Sequence, residues 1–114
     1  MVGMPFGFRA RKLAEARAVL AGPHPDGEVR AIAAAMLGCR VGLTGLRPGD
    51  LGDASADGWV AAVRHALDGA AAPGSGGGWA CERRAAELTE AEAREFAGAV
   101  GHLADWLAAR VGPG

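Results

Sequence analysis

The sequence predicts an all-α protein, a small bundle of four main helices with a glycine-rich loop between two helical hairpins. Three observations predict it. Apolar residues recur every three to four positions in four separate segments. Clusters of Gly, Pro, Ser and Asp punctuate those segments. Thr89 followed by Glu92 is the S/T-x-x-E signature of a helix start. At 114 residues, the chain has the length of one domain, taken here as residues 1–114.

The first helix is expected from about Phe8 to Ala21. Leu13, Ala16 and Leu20 share a face with the stem of Arg9, and Arg11, Glu15 and Ala18 point away. Pro23 and Pro25 end it. Asp26 is the expected N-cap of a second helix, whose apolar stripe is Val29, Ile32, Met36 and Cys39, with Leu43 a further candidate. Over residues 39–44 apolar and polar residues also alternate, so a short strand competes with the helix there.

Residues 44–54 read as turn chemistry throughout, with Pro48-Gly49 the strongest signal. Ser55 is the expected cap of a third helix, which carries Trp59, Val60, Val63 and Leu67 on one side and ends at Gly69. The run from Pro73 to Gly78 reads as the loop between the hairpins. A short helix over 80–88 precedes the clearest element, a long amphipathic helix opened by the Thr89/Glu92 capping box and running to about Val111. Its apolar residues Phe96, Ala99, Val100, Leu103, Trp106 and Leu107 fall within an arc of roughly 120°.

Composition limits the core. Ala accounts for 27 residues and Gly for 19, so few side chains bury much area, and a second copy is the expected remedy. Gly38 and Gly42 on the second helix, and Ala97, Gly98 and Gly101 on the last, offer sites of close helix contact. The charge is split: residues 1–25 hold four bases against one acid, a net of +3, and residues 54–114 hold five bases against eight acids, a net of −3. Two copies meeting with opposite signs facing would satisfy both halves, and a homodimer is the expected assembly.

No 18-residue apolar window occurs, so no membrane contact is expected. The first residues are apolar before they are basic, the reverse of a secretory signal. A cytoplasmic protein with free thiols is the expectation.

No residue pattern names a reaction, so the catalytic residues stay unknown. Cys39, His65, Cys81 and His102 are too far apart in sequence for a zinc motif, and no metal or other cofactor is expected. Cys81 is the best nucleophile candidate, because Arg83, Arg84 and a helix N-terminus stand near it in sequence. Trp79, directly after the glycine run, is a candidate pocket lid or interface anchor. The glycine run lacks the G-K-[ST] ending of a phosphate loop, and the chain's single lysine is Lys12. Arg9, Arg11 and Lys12 form a basic cluster able to contact phosphates, but with no Asn or Gln in the chain such binding would be nonspecific, and a nucleic-acid partner is not the expectation.

The expected function is therefore a small helical module that binds a protein or a small apolar ligand, with Trp79, Cys81, Gly98, Gly101, Arg9, Arg11 and Lys12 as its ligand or interface residues. The alternatives are a small enzyme or accessory subunit using Cys81 or a histidine in a helix-lined pocket, and a nonspecific nucleic-acid-binding regulator.

Overall fold

Five helices account for every regular element among the described residues of the computed structural model: α1 (Phe6–Ala21), α2 (Glu28–Gly42), α3 (Ala54–Leu67), α4 (Gly77–Glu87) and α5 (Glu90–Val111). The structure describes residues 6–47, 49–67 and 77–111, without the side chains of 77–80. The expected helix end at Gly69 and most of the glycine-rich loop lie outside the described residues.

Side by side the helices run α4–α2–α1–α5–α3, and lighter contacts of α3 with α2 and α4 close the ring. The shortest dimension, 22 Å, is about two helix diameters, so the molecule is two helices thick. α1 and α2 form the expected hairpin. The glycine run does not lead into a second one, because α4 lies on α2 while α5 lies on α1 and α3. α4 is also a full element with Cys81 and Ala85 buried, one turn apart.

The helix starts show where side chains satisfy free amides. Thr89 N–H donates to Glu92 Oε1 at 2.9 Å and Glu92 N–H donates to Thr89 Oγ1 at 3.1 Å, completing the capping box. The bond from the Thr89 amide is the main reason the Glu92 carboxyl sits below its ordinary range. α3 is capped by Asp53, not Ser55: Asp53 Oδ1 accepts the Ala56 amide at 2.9 Å, and Ser55 lies inside the first turn. That bond lowers the Asp53 carboxyl as well. Asp26 does not cap α2. The cap position falls on Gly27, whose φ of 99° and amide bond to His24 O close the preceding turn, with no side-chain bond.

The α1 and α5 faces bury as their periodicity predicts, Arg9, Leu13 and Ala16 from the first and Phe96, Ala99, Val100, Leu103 and Leu107 from the last. On α2 the stripe holds at Ile32, Met36 and Cys39, but Val29 is 42% exposed because the first turn extends past the core. Residues 39–42 are helical and 43–45 turn, so no strand forms there. The segment after α2 is more than a turn. Leu43, Leu46 and Leu51 are all buried, folded inward by tight bends at the left-handed glycines Gly45, Gly49 and Gly52. No described helix is long and apolar enough to cross a membrane.

Candidate functional site

The basic cluster of the first helix does not converge on one surface. Arg9 is 5% exposed, and its Nη1 donates to Gly42 O at 2.8 Å, at the end of α2. Desolvation pulls its guanidinium pKa down, Asp50 opposes that shift and Arg64 adds to it. Arg17 pairs with Asp105 of α5, so basic α1 and acidic α5 meet inside one chain. Lys12 Nζ stands 3.4 Å from Glu15 Oε1 and 5.6 Å from the centre of the Phe8 ring. Arg11 is exposed, with its guanidinium 5.7 Å from the same ring.

The small residues are likewise mostly used within the chain. A Cβ on Gly38 would lie 3.7 Å from Lys12 O and 3.8 Å from Ala16 Cβ, which places both on the α1 side of α2. Gly42 is tighter still. On α5, a Cβ at Gly101 would meet the Arg17 stem at 3.7 Å, so this glycine lies against α1, and at Gly98 it would meet nothing within 4 Å. Of the two α5 glycines assigned to an interface, only Gly98 faces open space.

Both cysteines are fully buried. Desolvation pushes the Cys39 thiol up to about 12. It raises the Cys81 thiol too, against a smaller opposite pull from Arg40. Thiolate is the reactive form, so this setting withholds both the anion and access to it. Since Cys81 proves as buried as Cys39, each Cys→Ser change is expected to cost about 1 to 3 kcal/mol of stability, through a hydroxyl placed among apolar neighbours. Urea titration of the two variants checks this, and a Cys81→Ser loss under about 0.5 kcal/mol would contradict it.

The side chain of Trp79 lies outside the described residues. Trp59 is half-buried and stacks on His102 at 5.2 Å, and Trp106 lies beneath Arg110 at 4.3 Å with the Phe6 ring edge-on at 6.4 Å. Both tryptophans pack against the core, as their helix stripes predict.

Clefts open on the surface among the described residues, three of which bear on the site. One, about 90 Å³, holds His65, Glu92 and Glu95 over a wall of Ala62, Leu88 and Phe96. A wider one of about 250 Å³ has Leu20, Ile32, Ala93 and Ala97 beneath His24, Glu28, Glu90 and Arg94. The third, about 170 Å³, joins Val19 of α1 to Ala31 and Ala34 of α2 beside Pro23 and Pro25. Among the described residues no three His, Cys, Asp or Glu side chains are placed to hold a metal ion.

The surface feature missed by sequence reasoning is apolar. Leu37 and Val41 of α2 are each 39% exposed, Ala34 is exposed one turn before them, and Val19 of α1 is 38% exposed. Positions 34, 37 and 41 repeat at helical spacing on the side of α2 opposite Ile32, Met36 and Cys39. That second stripe was the available signal. The third cleft brings Val19 of α1 beside Ala34, the first residue of that stripe, so the exposed aliphatic residues of the two helices lie on one side of the hairpin.

Among the described residues, fold and surface together define a compact packing of five helices with exposed aliphatic residues on the outer face of the first hairpin. No family model, curated protein or solved structure matches the chain.

Proposed function

We propose that this chain is a protein-interaction module that docks through the outer face of the α1–α2 hairpin. The observation that carries the reading is the exposed strip of Val19, Ala34, Leu37 and Val41, three of them large aliphatic residues left open to water. Contiguous exposed apolar surface with a charged rim is the anatomy of a docking patch, and here the rim is Lys12, Glu15 and the Arg30–Glu82 pair at 3.9 Å. A second copy of the chain is the first occupant to consider, so the homodimer moves from the α5 glycines to this face.

Less supports the alternatives. A cysteine enzyme needs an accessible thiolate, and both thiols are buried and raised. A phosphate-gripping first helix needs its cations on one open surface, and Arg9 is buried against Gly42 O while Arg17 pairs with Asp105 of α5.

A photo-crosslinking residue placed at Leu37, with the same residue at exposed Ala108 of α5 as control, tests the reading in the cell that makes the protein. Discrete covalent adducts from position 37 and none from 108 are the expected outcome. Equal labelling at both positions, or none at either, would overturn it.

A further inference from the structure

The outer face carries a pattern that identifies its occupant. On α1, Phe8, Lys12, Glu15 and Val19 follow at intervals of four, three and four residues and so form one stripe. Its order is apolar, basic, acidic, apolar. Read backwards, the same stripe sets a base against an acid and an apolar residue against an apolar one. On α2, Ala34, Leu37 and Val41 form the neighbouring stripe, centred on Leu37 with a small residue at one end and a larger one at the other.

The two centres lie at the same level. Gly38 sits against Lys12 O and Ala16 Cβ, which puts the midpoint between Lys12 and Glu15 beside the midpoint of the α2 stripe. One two-fold axis lying in the face at this level therefore serves both helices. We infer that the hairpin face binds a second copy of this chain in antiparallel register. Lys12 then meets the partner's Glu15, Phe8 meets the partner's Val19, and Ala34 meets the partner's Val41, with Leu37 against the partner's Leu37 at the axis. The inference rests on the docking reading above and names its partner.

Charge supports this occupant. The Lys12–Glu15 contact inside one chain is long, at 3.4 Å, and exposed, so each side chain retains capacity for a second partner. Two such pairs facing in reverse order make a four-charge ring, and a network of this kind is worth more than an isolated surface pair. An isologous contact across a two-fold axis is also the commonest closed assembly.

Charge reversal separates this register from any other. Lys12→Glu makes the stripe wholly acidic and Glu15→Lys makes it wholly basic, so each variant repels itself. Glu15 is exposed and Lys12 is half-buried with its ammonium at the surface beside Glu15, and circular dichroism should show both variants folded. By sedimentation equilibrium the wild type is expected to dimerise at micromolar concentration. Each variant alone should dimerise at least about tenfold more weakly, and an equimolar mixture of the two should recover a heterodimer. Leu37→Cys should also give a disulfide-linked dimer under mild oxidation, since the native thiols are buried.

A wild type that stays at 11.5 kDa up to about 100 μM, far above the micromolar range tested, would overturn the inference. So would variants that dimerise like the wild type, or a mixture that does not pair. The docking reading fails separately. A monomeric wild type that still crosslinks another protein from position 37 would leave that reading standing and remove the second copy.

Discussion

Arg9→Ala is expected to lower the unfolding free energy by about 2 to 4 kcal/mol, the largest effect of any charged residue in the chain. The last carbonyls of a helix have no partner inside it, and all four of α2 are met from elsewhere. Cys39 O accepts the Leu43 amide, Arg40 O the Thr44 hydroxyl, Val41 O the Thr44 amide and Gly42 O the Arg9 guanidinium. Arg64 continues the sequence by donating to Leu43 O and Leu46 O. Removing Arg9 leaves Gly42 O, in a buried residue, without a donor and empties the space of a long side chain. Relief of the like charge on Arg64 offsets part of the loss. Arg11→Ala, on the exposed face, should cost less than about 0.5 kcal/mol. Denaturant titrations of the two variants decide the matter, since equal losses would mean that Arg9 does not cap α2.

Gly42→Ala is expected to destabilise by about 1 to 3 kcal/mol, although alanine gains about 1 kcal/mol over glycine in helix propensity. The added Cβ would stand 2.9 Å from both Leu13 Cδ2 and Lys12 Cβ. Leu13 is fully buried and cannot swing aside, so α1 and α2 would have to separate. Gly98→Ala should do the opposite and stabilise by up to about 1 kcal/mol, because nothing lies within 4 Å of the new atom. Thermal melts of the pair give opposite signs if the helices pack as described. The same sign for both would place the close contact elsewhere.

The sequence by itself determined the helical class, the core faces of α1 and α5 and the start of α5. Those are local properties: a period near 3.6 selects the face, and Thr89 and Glu92 lie three residues apart, within reach of each other's amides. It determined the burial of Cys39 for the same reason. Other features depended on which helix lies beside which. The glycines and the charge split read equally well as contacts between copies or within one chain, and only the placement of α1 between α2 and α5 assigned Gly42 and Arg17 to internal contacts. Periodicity places the stem of Arg9 on the core face of α1, but the role of its guanidinium is set by Gly42, 33 residues away. Leu46 and Leu51 looked like loop residues because turn chemistry describes the backbone and not what the turn folds over. The exposed stripe of Leu37 and Val41 became a candidate site only when no other helix of the described chain was found to cover it. Periodicity identifies an apolar face, and tertiary packing decides whether the chain buries that face itself or leaves it for another molecule.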